Sequence, residues 1–294
     1  MPETQTAKTE LQQVIGSISD LPTPPMVLQQ INKVINDPNT SAFDIAAILA
    51  EDPAMSFKVL KLTNSAYYGF AKEVTSVKQA VIVMGINAVR SMVLSTAVLD
   101  MFKGNEKNLQ FHDQFWRHSL ATASCARLLA RRVPGGNAAG AEHAFSVGLL
   151  HDIGKLVMNC YLPNDFHAAQ QFAEEHQLTP HRAEEEILGY THAELGGLLA
   201  KNWKLPPLIC SAIYYHHCPK DSENDIFAYV THFADYLSNL TFDPPGDLQR
   251  TESLLVRETF DVLDISQDEL QPLKEALIEE YVKSETFMQI ATAL

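Results

Sequence analysis

Beyond a polar, aperiodic first ten residues, Leu11, Val14, Ile15 and Ile18 share one helical face, which ends at a breaker of Leu21, Pro22, Pro24 and Pro25. Asp52 followed by Pro53 reads as a helix cap and first turn. Ser76 precedes a stripe of Val77, Ala80, Val81 and Met84 with Gly85 as its stop, and Asn87 is expected to cap the next helix, striped by Val89, Met92, Val93 and Thr96. No stretch here alternates as a strand would, so the N-terminal half is predicted to be helical. The polar Gly104, Asn105, Glu106, Lys107 stretch marks a boundary, and a second helical block begins near Phe115. It is punctuated by Pro134-Gly135-Gly136, Pro163-Asn164, Pro206-Pro207 and Asp243-Pro244-Pro245-Gly246, after which Ser266 and Glu269 form a capping box ahead of Leu270, Leu273 and Leu277. The expected fold is all-α, two packed helical bundles. The expected division is a flexible start with a short helix (1–17), an N-terminal helical unit (18–104), a second unit (105–240) and a C-terminal helical extension (241–294).

With 294 residues, 46% of them apolar, the chain can bury a core in each unit. Its formal charge of −14 repels phosphate backbones and anionic membranes, which argues against a nucleic-acid polymer or a membrane as partner. No leader-like or spanning apolar run is apparent, so a cytoplasmic protein is expected. Cys125, Cys160, Cys210 and Cys218 form no CxxC pair and read as free thiols.

Several of the eleven histidines stand where a helix would present Leu or Ile to a core. His118 shares a stripe with Phe115, Thr122, Cys125 and Leu129; His192 aligns with Leu195 and Leu199; His216 continues Ile209, Ala212 and Ile213. One inward histidine is usually a hydrogen-bonded core residue, but three in one unit ask for another reason. The doublet His151-Asp152 follows an apolar run, and neighbouring side chains on a helix diverge by about 100°. Both can therefore face one ion only at a helix end or kink, which Gly148 and Gly154 permit. His216-His217 is a second doublet at a helix end, and Asp235 adds a carboxylate on a small, polar stripe with Ala228, Thr231 and Ser238. Imidazole and carboxylate together suit a divalent transition metal, Fe or Mn foremost, with Zn or Ni as the other candidates.

In order, His118, His151-Asp152 with Lys155, His192, His216-His217 and Asp235 resemble the HD phosphohydrolase superfamily. The resemblance implies an HD-domain-like second bundle. Single-metal members use the positions of His118, His151, Asp152 and Asp235; two-metal members, including the HD-GYP phosphodiesterases, add those of His192, His216 and His217. It thus implies two ions sharing Asp152, with Lys155 approaching a substrate phosphate. Two departures stand out: Cys218-Pro219-Lys220 replaces the DGxGYP continuation, and Gln114 stands where three-metal relatives have glutamate. In the N-terminal half, Leu21-Pro22 with Pro24, Asp52-Pro53, the run from Leu60 to Ala66, and Ser76 through Gly85 resemble HDOD domains, over about residues 18–220. That resemblance implies a helical bacterial signalling module, here expected without a fused receiver or cyclase domain.

Two functional expectations follow. One is a regulatory protein whose metal centre stabilises the bundle or senses a nucleotide or phosphate ligand, with a signalling protein as partner. The other is a metal-dependent phosphohydrolase or phosphodiesterase, with Lys155 and Asp152 in catalytic roles. His112, His143, His167, His176, His181 and His232 are expected at the surface or behind the ligands, Trp116 and Trp203 as core anchors, Asn64 and Ser65 as a helix end and turn, and Glu184-Glu185-Glu186 as a solvated helix face.

Overall fold

The computed structural model describes residues 11–292 except 17, 19–20, 22, 35–36, 38, 103–108, 134–137, 224 and 243–254. Among the described residues the chain is helical and contains no strand. After a turn of helix at 11–16 come α1 (Met26–Val34), α2 (Ala42–Ala50), α3 (Pro53–Thr63), α4 (Val77–Met84) and α5 (Ile86–Met101). The second half holds α6 (Leu109–Ala130), α7 (Ala138–Leu150), α8 (Ile153–Tyr161), α9 (Pro163–His176), α10 (Pro180–Leu188), α11 (His192–Asn202), α12 (Pro207–Tyr215) and α13 (Ile226–Phe242), followed by α14 (Glu258–Leu263) and α15 (Leu270–Thr292). The proposed breaks at Gly104–Lys107, Pro134–Gly136 and Asp243–Gly246 lie outside the described residues.

Local chemistry sets the boundaries. Asp52 caps α3 by accepting the Met55 amide, Ser76 caps α4 by accepting that of Gln79, and Ser266 forms its capping box with Glu269. Gly85, at φ 86°, both stops α4 and starts α5, so the two helices meet at a 116° bend. Asn87 therefore lies inside α5, whose N-cap is Gly85 with no side-chain bond, in place of the expected Asn87 cap. No single described helix is long and apolar enough to cross a membrane.

Asn64 closes α3 as expected and also clasps the following loop: its amide oxygen accepts from Val74 N at 2.8 Å and its amide nitrogen donates to Val74 O at 2.8 Å. Asn64→Ala is expected to cost about 1–3 kcal/mol in urea unfolding, because both Val74 groups lose their partner. The loop delivers Tyr67 and Tyr68 to the face of the Arg127 guanidinium on α6, at 4.4 and 5.5 Å from the ring centres. Arg127 also lies 3.1 Å from Glu142 on α7 and 3.8 Å from Glu280 on α15. One buried charge cluster thus ties the N-terminal loop to α6, α7 and α15. Of the expected core anchors, Trp203 is buried and Trp116 is half-buried against the same core.

Candidate metal centre

The helices α6, α7, α8, α11, α12 and α13 converge so that each delivers its polar group at an end, a break or an inward stripe. His118 lies mid-α6 and Asp235 mid-α13, each on the stripe read from the sequence. His151 and Asp152 occupy the break between α7 and α8, which lets both turn to one point. The two flanking glycines set that break by close contact. A Cβ on Gly148 would stand 2.6 Å from Ala123 Cα, and one on Gly154 2.0 Å from the carbonyl oxygen of His192. Gly154→Ala is accordingly expected to push α8 off α11, move His192, and weaken metal retention about 10–100-fold, as perturbed ligand support does; competition with a chelator measures this. His192 begins α11 behind a capping box of Thr191 and Glu194, and His216 and His217 end α12.

The Asp152 carboxylate stands between two groups of imidazoles. Its Oδ2 is 3.7 Å from His118 Nε2 and 3.4 Å from His151 Nε2; its Oδ1 is 3.1 Å from His192 Nε2 and 3.7 Å from His216 Nε2. Asp235 Oδ1 closes the first group, 3.1 Å from His118 Nε2 and 3.8 Å from His151 Nε2. His217 Nε2 closes the second, 2.9 Å from His192 Nε2. Two donor sets result: His118, His151 and Asp235, and Asp152, His192, His216 and His217, the donor atoms of each lying within 4.8 Å of one another. Lys155 Nζ rests 2.7 Å from Asp152 Oδ2. Every ligand position read from the sequence is in this cluster, while Gln114 is exposed on α6.

The tautomers follow from the outer bonds. His151 Nδ1 faces the Gly148 carbonyl at 2.8 Å, His216 Nδ1 the Ile213 carbonyl at 2.7 Å, and His192 Nδ1 the Glu184 carboxylate at 2.6 Å. Each of these nitrogens must carry its hydrogen, which leaves the Nε2 lone pairs directed at the carboxylates of Asp152 and Asp235. Lone pairs and carboxylates converging at 3–4 Å repel unless a cation or protons lie between them. Asp152 Oδ1 and His216 Nε2 are buried with no hydrogen-bond partner among the described residues. A buried acceptor without a donor costs about 1–3 kcal/mol, and a transition-metal ion would satisfy both atoms. The donor set therefore fits such an ion in each group.

Burial and charge pull the cluster in opposite directions: they hold Asp152 ionised and His216 and His217 neutral, while favouring a proton on His118 and His192 in the metal-free protein. Burial alone would raise the Asp152 carboxyl; the charges of His151, Lys155 and His192 outweigh it and hold it well below the usual value. Burial drives His216 down to about 4 and His217 well below the ordinary imidazole range. Against the pull of burial, Asp235 raises His118 and Glu184 raises His192. An imidazole lowered on folding stabilises the fold fully above its unfolded value and loses that contribution as pH falls through the folded value. The metal-free protein is thus expected to lose stability between about pH 6.5 and 4 through His216. His118 and His192 act with the opposite sign, their stabilisation fading as pH rises through their raised values. Urea midpoints in a chelating buffer measure the balance, and a replacement of His216 by Gln flattens the acid limb.

Three groups stand behind the ligands: Glu184, expected on a solvated face, and His232 and His181, expected at the surface or behind the ligands. Glu184 is buried and holds both Nδ1 and the backbone amide of His192, whereas Glu185 and Glu186 are exposed as expected. The expected solvated face is therefore corrected at its first member, which turns inward with Ala183. His232 is buried, its Nδ1 donating to the His216 carbonyl and its Nε2 accepting from Val256 N. It precedes Asp235 by three residues, the helical spacing that could have marked it. His181 stacks on His217 with ring centres 4.4 Å apart.

A sequence model of the HDOD domain matches residues 21–219. The crystal structure of an HDOD domain protein of unknown function from Geobacter sulfurreducens superposes with a TM-score of 0.74 at 26% identity, covering 98% of each chain. A proposed phosphohydrolase from Shewanella amazonensis gives 0.70 at 28% identity, covering 94% of this chain and 97% of its own. A proposed signal transduction protein of Marinobacter aquaeolei, 21% identical, shares the fold at 0.74, over 97% of this chain and 65% of that one. An uncharacterized protein of Treponema pallidum is 28% identical over 216 residues, 73% of this chain, which spans only 41% of that relative's length.

Proposed function

The chain belongs to the HDOD family, and on that premise we propose that it is a bacterial signalling protein built on a two-metal centre in which Asp152 is shared. The observation that carries this reading is the division of one buried carboxylate between two imidazole groups, Oδ2 toward His118 and His151 and Oδ1 toward His192 and His216. His118, His151, Asp152 and Asp235 would hold one ion and Asp152, His192, His216 and His217 the other, Fe or Mn being the metals this mixture of nitrogen and oxygen donors suits. His151, His192 and His216 are fully enclosed; His118 and Lys155, each 23% exposed, leave an edge where a nucleotide or phosphate ligand could reach the centre. In this reading ligand and metal occupancy set the packing of α6 and α7, which the Arg127 cluster passes to the N-terminal loop and so to a protein partner. The test is turnover: the Mn- or Fe-loaded protein is expected to bind phosphate compounds without steady hydrolysis of nucleotides or of bis(p-nitrophenyl) phosphate. Sustained metal-dependent release of product overturns the purely regulatory role.

Phosphoester hydrolysis is the second reading, favoured by Lys155 and by the likeness to the Shewanella protein. Bound ions would supply Lewis acidity and lower the pKa of a water molecule. In this reading the Lys155 ammonium, held by Asp152, would offset charge on phosphoryl oxygens, and Glu184 would fix the His192 ring through Nδ1.

A further inference from the structure

Most of the candidate ligands are held from behind by a hydrogen bond. The Gly148 carbonyl meets His151, the Ile213 carbonyl meets His216, Glu184 meets His192, and Asn239 donates to the Asp235 carboxylate at 2.9 Å. His217 is held differently. It follows the end of α12, and its one side-chain hydrogen-bond contact among the described residues joins its Nε2 to Nε2 of His192, another candidate ligand. An ion between those two nitrogens would replace that contact, so it cannot orient the loaded ring. Three imidazoles pack around His217, with ring centres at 4.0 Å for His216, 4.9 Å for His192 and 4.4 Å for His181. The first two belong to the donor set themselves. His181 lies outside both donor sets, and its ring is nearly parallel to that of His217, at 16°.

The sequence of α10 places that ring. His181 and Glu184 stand three residues apart near its start and so share a face, which is turned to the second donor set: Glu184 takes Nδ1 of His192, and His181 covers His217. Pro180 opens the helix and fixes the backbone just before His181. The two rings meet face to face, and Nδ1 of His181 is enclosed without a hydrogen-bond partner among the described residues. It is therefore the plane of the ring, and no donated bond, that reaches His217.

We propose that His181 is a positioning residue for the second ion: stacked on His217, it fixes the plane of that ring and keeps Nε2 aimed into the group of Asp152, His192 and His216, an inference that rests on the two-metal reading above. The test uses full-length protein, stripped with a chelator and reloaded with Mn(II). It compares the parent with His181→Ala, His181→Phe, His217→Ala and the His181→Ala, His217→Ala double variant. Elemental analysis after a graded chelator challenge counts the ions retained, and NMR of the His217 imidazole in the metal-free proteins reports the motion of the ring. His181→Ala is expected to weaken one ion about 10–100-fold, the range for loss of ligand support, to leave the other at parental strength, and to broaden the His217 signals. His181→Phe keeps a flat ring but offers no nitrogen, and is expected to restore most of the retention and the sharp signals. In the His217→Ala background, removing His181 is expected to add nothing. Unchanged retention in His181→Ala, equal weakening of both ions, failure of His181→Phe to restore the lost ion, or a further loss beyond that of His217→Ala overturns the assignment. A parent that holds no ion overturns the two-metal reading instead, and the role of His181 is then decided in the metal-free proteins: His217 signals as sharp in His181→Ala as in the parent overturn it.

Discussion

If the proposed two-metal centre holds, Asp152→Ala is expected to weaken the binding of both ions at least about 100-fold, whereas His118→Ala or His217→Ala weakens mainly one. The asymmetry follows from geometry. Asp152 alone among the donors has an oxygen in each group, Oδ2 near His118 and His151 and Oδ1 near His192 and His216, and it contributes negative charge to both. Supporting residues cost about 10–100-fold when removed, so a shared direct ligand sets the upper end of the scale. Asp152→Asn keeps the shape but not the charge, and is expected to fall nearer to Asp152→Ala than to the parent. Metal titration of the stripped variants, with His217→Ala as the one-sided control, measures the difference; equal loss in all variants would mean that the two groups do not bind separately.

Arg127→Ala is expected to destabilise the fold by about 3–5 kcal/mol, the usual cost of breaking a buried ion pair from one side. The guanidinium faces Glu142 and Glu280 and lies under Tyr67 and Tyr68. Burial already pushes the Glu142 carboxyl upward, and without Arg127 that group must take a proton or draw in water. An Arg127→Met, Glu142→Gln double variant removes both charges and is expected to recover much of the loss. Urea unfolding of the parent, Arg127→Met, Glu142→Gln and the double variant gives the coupling, and a cost for Arg127→Ala below about 1 kcal/mol would show that the cluster does not hold the N-terminal loop to α6 and α7.

The helical stripes were legible because each obeys a local rule. His118 follows Phe115 by three residues and Asp235 follows Thr231 by four, and in both cases the structure turns the whole stripe inward. The caps at Asp52, Ser76 and Ser266 were equally local. The helix break at His151-Asp152 could be anticipated because adjacent residues on one continuous helix cannot both face one point. What escaped depends on contacts between elements. Glu184 looks like the start of an acidic surface run, and only the position of α11 reveals that it supports His192. Arg127 and Arg90 are also indistinguishable in sequence; the first meets carboxylates from α7 and α15, and the second meets none among the described residues. Asn87 was misread because a good capping residue stood two positions after a glycine whose positive φ had already begun the helix.

The central claim, two ions sharing one carboxylate, is tested most directly by elemental analysis of the protein prepared without chelator and without a histidine-rich tag. The expected result is close to two transition-metal ions per chain in the parent and almost none in the Asp152→Ala protein. A parent chain that holds no metal after anaerobic reconstitution with Fe(II) or Mn(II) would contradict it, leaving the buried imidazoles as a protonated network in place of a metal centre.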